Sequence, residues 1–311
     1  GTGANAAPTV ATNTGLTISQ GQPGAITQSL LETTDANDGP SALTYTVTGG
    51  PANGQILVNG QAATSFTQQD VNDEAVTYLN DGTDGSADLT FDVGDGTTSV
   101  TAQTFAITVS SDPNVEGVAS TPISGGETEI AFGTTGVTID FTGVGGTGTV
   151  NVIRYSDAPV STGATFDGLT IGDRFVVTVI GPVTLDSDTE FSVSPGTALG
   201  LAEPNAVSFY KRDTEGTGAF DPALPTTYDA SPDVLQATVS SFSEIVAASG
   251  PIFSTTVVGD ASDNAGFRML AFPGDFTRGD LEEDLDFSTT TGEILQTFPG
   301  GGADGSDWVE V

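Results

Sequence analysis

Over the first hundred positions, short runs alternate between apolar and polar residues. Leu43-Thr44-Tyr45-Thr46-Val47 is the clearest run, and its period of two is that of a strand with one buried face. Similar runs predict strands over 16–18, 55–58, 75–78, 89–93 and 105–109. Between them stand turn formers: Asn37-Asp38-Gly39-Pro40, Asn53-Gly54, Asn59-Gly60, Asn80-Asp81-Gly82 and Gly94-Asp95-Gly96. Short strands at this spacing predict a sandwich of about one hundred residues.

The pattern continues after a break. Residues 110–117, with Pro113, read as a linker. A second sandwich is predicted over 118–249, with strands at 129–132, 137–141, 149–155, 175–181, 190–193, 206–210 and 235–239. The last segment, 250–311, holds few strands and is too short for a core of its own. Its Phe272, Phe276, Phe287 and Phe298 would need a missing strand or another chain to cover them. The predicted class is all-β: tandem antiparallel sandwiches with an incomplete C-terminal β segment.

Charge changes the picture most. Six basic residues face 41 acidic ones, a formal net charge of −35. Such a field repels phosphate, which excludes nucleic acid and anionic membranes as partners. Self-repulsion is relieved by salt, so a high-salt habitat is the favoured explanation. An acidic secreted protein neutralised by Ca²⁺ is the alternative. The chain has no cysteine and no histidine. Disulfides, thiolate sites and Ser-His-Asp or Cys-His catalysis are thereby excluded. Two carboxylates would suffice for a glycosidase, but no aromatic-rich cleft is legible, and the sole tryptophan is Trp308. No catalytic residue is assigned and no enzyme is expected. No apolar run approaches the ~20 residues that span a bilayer. Because the chain starts at Gly1 rather than Met, it reads as a mature product or a fragment, secreted or at the cell surface.

Asn5-x-x-Pro8 with Gly15-Leu16-Thr17-Ile18 resembles the opening of a cadherin-like repeat. In order follow Leu43-Thr44-Tyr45, Pro51-x-Asn53-Gly54, Phe66-Thr67-Gln68-Gln69-Asp70, Val76-x-Tyr78 and Asp88-x-x-x-Phe91-Asp92-Val93-x-Asp95-Gly96. Together they resemble the repeat of chondroitin sulfate proteoglycan ectodomains, which also occurs in bacterial surface proteins. The resemblance covers residues 8–109 and makes 1–7 a linker. It implies an Ig/cadherin-like sandwich used in tandem as a spacer or adhesive rod, with Ca²⁺ near domain junctions. Arg154-Tyr155, Tyr210-Lys211-Arg212 and Val239-Ser240-Ser241-Phe242-Ser243-Glu244-Ile245 resemble a sandwich near the C-terminus of secreted bacterial proteins. Gly266-Phe267-Arg268-Met269-Leu270 resembles the opening strand of another such module.

Metal binding is the better chemical expectation, because Ca²⁺ takes six to eight oxygen ligands. Three groups qualify: Asp35, Asn37 and Asp38 in one turn; Asp81, Asp84 and Asp88 on a loop and strand; Asp112, Asn114 and Glu116 in the linker. Each group taken singly is better explained as turn formers in an Asp-rich chain. The functional expectation is an extracellular structural or adhesive block, self-associating into a filament or fibre by strand exchange, or packed against neighbouring modules of the same protein. Two alternatives stay open: a spacer region of a larger secreted enzyme or adhesin, and a viral fibre protein. Glycan binding has no supporting residues.

Overall fold

The computed structural model describes residues 4–126, 129–158, 166, 169–185, 189–194, 199, 201 and 206–249. The chain divides into two compact units, 1–252 and 253–311. The expected incomplete segment at 250–311 lies outside the described residues. Both predicted sandwiches fall in the first unit.

The first sandwich opens with β1 (Thr9–Asn13), β2 (Leu16–Ser19), β3 (Pro23–Ala25) and β4 (Leu31–Thr34). Next come β5 (Thr44–Gly49), β6 (Gly54–Val58), β7 (Gln61–Ala62) and β8 (Ser65–Thr67). A single helical turn, α1 (Gln68–Asn72), leads to β9 (Val76–Asn80) and β10 (Gly85–Ser86). β11 (Leu89–Gly94), β12 (Ser99–Phe105) and β13 (Ile107–Ser110) complete it. Sheets of order β12-β11-β5-β8 and β3-β9-β6-β7 enclose the core with β10-β13-β2 and the β1-β4 pair. In β11 the alternation read from the sequence is literal: Leu89, Phe91 and Val93 are buried and the residues between them are half-buried. Tyr45 is central, stacked on Phe66 at 4.8 Å and tilted against Phe91 at 5.3 Å.

Two features depart from the expectation. The module is not purely antiparallel, because β2 and β13 run parallel, Ile107 opposite Leu16 and Ser110 opposite Ser19. The C-terminal ends of β2 and β13 thus point to the same pole of the module. The Phe66-to-Asp70 motif, in turn, is a strand-to-helix corner. Thr67 caps α1, accepting from the Asp70 amide at 3.1 Å, while the Thr67 amide donates to Asp70 Oδ2 at 2.7 Å. That reciprocal pair is a capping box, and it ends the strand.

The second sandwich begins inside the predicted linker. β14 (Val115–Ser124) leaves only residues 111–114 between the modules. After it come β15 (Glu129–Phe132), β16 (Val137–Asp140), β17 (Val144–Tyr155), β18 (Thr170–Ile180) and β19 (Val183–Leu185). β20 (Thr189–Val193), β21 (Val207–Arg212), β22 (Thr226–Asp229), β23 (Val234–Val239) and β24 (Glu244–Ser249) follow. One sheet has the order β14-β17-β18-β24-β21, with β19 on β17; the other is β15-β16-β20-β23-β22. Between them Phe175, Phe191 and Phe209 pack edge to face, at 5.6 and 5.3 Å. The β21 edge is covered by its own loop, since the amides of Asp221 and Leu224 donate to Lys211 O and Phe209 O.

Most of β17 and all of β24 are buried residue after residue, unlike the alternating strands of the first module. A strand reads this way only when both faces of its sheet are covered. Inward-facing Val150, Val152, Phe175, Val177, Ile245 and Ala247 belong to the sandwich core. The outer face is covered by something else, and there the candidate site lies.

Candidate functional site

Most residues of the three candidate groups make hydrogen bonds or ion pairs close by. Asp35 Oδ1 accepts from the amides of Asn37 (2.7 Å) and Asp38 (3.0 Å), an Asx turn. Asn37 Oδ1 accepts from the Ala6 amide at 2.8 Å, tying the loop to the N-terminal segment. Asp81 Oδ1 accepts from the Thr83 amide, and Asp84 offers its carbonyl to Asn53 Nδ2. Asp88 Oδ1 takes Ser86 Oγ at 3.0 Å and the Ile107 amide at 3.3 Å. Asp112 Oδ1 caps the Asn114 amide, and Glu116 lies 3.7 Å from Arg154 Nε. Among the described residues no three Asp or Glu side chains are grouped to hold a metal. Of the nine candidate residues, Asp35 alone keeps a buried side-chain oxygen, Oδ2, without a hydrogen-bond partner. It sits beside a groove lined by Gln28, Glu32, Asp38, Gln68 and Asn72.

Among the described residues the basic side chains, Arg154, Arg174, Lys211 and Arg212, are all spent inside the second sandwich. No Lys or Arg occurs before Arg154. Arg212 and Glu244 face each other across β21 and β24, and each is about 1% exposed. Glu244 Oε2 also accepts from the Gly216 amide at 3.0 Å. Arg174 lies over the Tyr155 ring at 3.8 Å and reaches Asp157 (2.8 Å), Glu215 (3.5 Å) and Glu244 (3.6 Å). Arg154 pairs with Asp173. Burial raises the carboxyl pKa values of Asp173 and Glu215, though Arg154 and Arg174 pull them back. Burial likewise pushes the Tyr155 phenol up to about 12. Arg174, Arg212, Glu215 and Glu244 close the outer face beside β24, next to Phe166, Phe220, Val246 and Ala248, whereas Arg154 lies on the inner face over Phe175.

The rest of that outer face carries the first sandwich. Alternate residues of β17 point outward, and all four of the last ones meet it. Thr149 Oγ1 donates to Gly60 O at 2.7 Å. Asn151 Nδ2 donates to Gly21 O at 3.0 Å. Ile153 lies against Gly21, and the Tyr155 hydroxyl accepts from Gln22 Nε2 at 3.0 Å. Gln22 also donates to Glu215, joining the ionic network. Gln61 Nε2 donates to Gly148 O at 3.1 Å, and Leu57, Leu79 and Ile180 form a small apolar cluster.

Three turns of the first module make this contact. The Asn59-Gly60 turn needs positive φ at both positions, 50° and 76°, as a tight two-residue hairpin requires. A Cβ on Gly60 would collide with the Ile180 carbonyl, and one on Gly82 would come 3.0 Å from Val118. Gly21 is held from both sides. Its amide donates to Asn80 Oδ1 at 2.7 Å while its carbonyl accepts from Asn151. Asn80, fully buried, also accepts from the Gly82 amide and donates to Asn53 O and Thr83 O. Asn59-Gly60 and Asn80-Asp81-Gly82 read as turns in the sequence and the Gly21 segment does not; the role of all three in joining two sandwiches has no local signal.

A cadherin-like family matches residues 8–109. Of proteins similar to this chain, Extracellular matrix protein 3 of Lytechinus variegatus is 31% identical over 119 residues, 35% of this chain. FRAS1-related extracellular matrix protein 1 of Homo sapiens is 37% identical over 95 residues, 30% of the chain. Chondroitin sulfate proteoglycan 4 of Mus musculus is 37% identical over 91 residues, 28% of the chain. In each case the match spans only 4% of the relative's own length. No solved structure matches significantly. Residues 8–109 are therefore a cadherin-like domain, and the resemblance of the later part to secreted bacterial modules stands without such a match.

Proposed function

We propose that this chain is part of an extracellular structural or adhesive protein, a non-enzymatic spacer built of sandwiches in tandem. The observation that carries the reading is a cadherin-like domain, shared with matrix and proteoglycan proteins, docked on a second sandwich. The partner it supports first is a neighbouring module of the same protein. No helix among the described residues is long and apolar enough to cross a membrane. Labelling intact source cells with an antibody to residues 8–249 tests the location. Surface or matrix label is expected, and label appearing only after permeabilisation would overturn it.

Two finer readings belong with this one. A saline environment accords with the charge: eleven acidic and no basic residues lie between 8 and 109. Calcium at the Asp35 loop accords with the buried, unpartnered Oδ2 beside Glu32 and Asp38. Calorimetric titration should show Ca²⁺ uptake that Asp35→Asn abolishes; equal heats in both proteins would sink the assignment. Assembly into filaments by strand exchange rests on residues 250–311, outside those described.

A further inference from the structure

We infer that the two sandwiches form one stiff body, fixed by a direct dock that needs no bound ion at the junction. The inference concerns mechanics and holds whatever the pair is attached to.

The dock has three components. The outward row of β17 is fully engaged, Thr149, Asn151, Ile153 and Tyr155 each meeting Gly60, Gly21 or Gln22. Backbone approaches backbone at Gly60 and Gly181, where a Cβ would run into Ile180 O or Asn59 O. Such closeness leaves no room for a hinge to swing without separating the surfaces. Leu57, Leu79 and Ile180, at 0, 2 and 9% exposure, then exclude water from the middle.

The connection adds to this. Only residues 111–114 separate β13 from β14. They are pinned as well, since the Asp112 amide donates to Gln20 Oε1 at 3.0 Å and the Ser156 amide to Asn114 O at 2.9 Å. A flexible junction would show the opposite: a longer polar connector and exposed facing surfaces. Among the described residues the polar groups crossing the dock are amides, hydroxyls and carbonyls, joined by the Glu215 carboxylate, which accepts from Gln22. A junction stiffened by Ca²⁺ would instead bring several carboxylates together. Here Asp112 caps its own turn and Glu116 faces Arg154.

The native chain has no cysteine, so spin labels can be placed at will. Thr101→Cys on the first sandwich and Ala230→Cys on the second are both exposed. Pulsed dipolar spectroscopy on the full doubly labelled chain reads the distance between them, with EDTA or with millimolar CaCl2, in low and high NaCl. One narrow peak, the same in all four conditions, is expected. Ile180→Asp, which lies outside the main core of the second sandwich, should replace that peak with a broad distribution while near-ultraviolet dichroism persists. If Ile180→Asp unfolds the chain, Gln22→Ala combined with Thr149→Val gives the same reading from residues outside both cores. A broad distribution in the parent, narrowing only with Ca²⁺, overturns the inference. So does a narrow peak that survives in the variants.

Discussion

Asn80 shows how much one side chain organises. Fully buried, it satisfies four backbone groups at Gly21, Gly82, Asn53 and Thr83. Asn80→Ala strands those groups away from water, and we expect it to lower stability by about 2–4 kcal/mol in urea unfolding. Asn80→Asp would keep the acceptor and lose the donors, so its loss should be as large at neutral pH. Tyr45 is a milder case. Its hydroxyl lies 2.5 Å from Gln68 Oε1 and 2.8 Å from Thr33 Oγ1, and burial pushes its pKa up to about 12. Gln68 Oε1 keeps the Thr33 amide in Tyr45→Phe, so about 1 kcal/mol is the expected loss. In the sequence Asn80 reads as the start of an Asn-Asp-Gly turn, which it also is. Nothing local marks it as buried, because Gly21 and Asn53, two of the residues it bonds, are distant in the sequence.

Strands differ in how much of their role they disclose. β11 announces one buried face, and the structure agrees. β17, β18 and β24 are rich in apolar and small residues on both faces, which signals a doubly covered sheet without saying by what. The arginine contacts on that sheet follow from register: Arg212 opposite Glu244 as an ion pair, and Arg174 opposite the Tyr155 ring. A buried ion pair repays its desolvation poorly, but breaking one is costly. Arg212→Met alone should therefore destabilise by about 3–5 kcal/mol, while Arg212→Met with Glu244→Leu recovers most of that. Equal losses in single and double variants, measured by chemical denaturation, would show that Arg212 acts through Phe220, which it overlies at 4.6 Å. The predicted linker at 110–117 misled for a physical reason. Pro113 and its polar neighbours do form a turn, but Val115 and the residues after it pair with β17.

In the described part of the molecule the basic residues are buried or nearly so in ion pairs, and the outside is left to carboxylates. At neutral pH and low salt that repulsion opposes folding. Thermal stability should rise with NaCl, most steeply until the screening length falls to roughly 3 Å near 1 M. A Tm independent of salt would contradict a surface dominated by repulsion. Acid acts in two directions. Asp173 and Glu215 have pKa values raised above their ordinary 3.8 and 4.5, so the folded state binds more protons there. Their protonated forms favour folding at low pH, and this is lost as pH rises through the raised values. Asp95 is the reverse. The Thr98 amide, Asn5 and the Thr97 amide hold its pKa below 3.8, so its contribution is present above that value and lost below it. At low salt, Tm should therefore climb as pH falls from 7 through the raised values of Asp173 and Glu215, and fall once the pH drops below 3.8. A monotonic fall from pH 7 downward would count against the Asp173 and Glu215 assignments.

Whatever depends on near neighbours along the chain was readable from residue order. The all-β class follows from apolar-polar alternation, the turns from Asn-Gly and Asp-Gly pairs, and the cadherin-like module from motifs spread over 8–109. The absence of His and Cys removed whole classes of chemistry. The arrangement of distant groups was settled in three dimensions: β2 running parallel to β13, the first module's turns docked along β17, and Arg174 and Arg212 converging on Glu244. Of the candidate metal-binding residues, Asp35, Asp81 and Asp112 each accept from an amide of their own turn, while Asp88 reaches the Ile107 amide and Glu116 faces Arg154. Residues far apart, Gly21 between Asn80 and Asn151 above all, came together because two sandwiches each had a surface to bury.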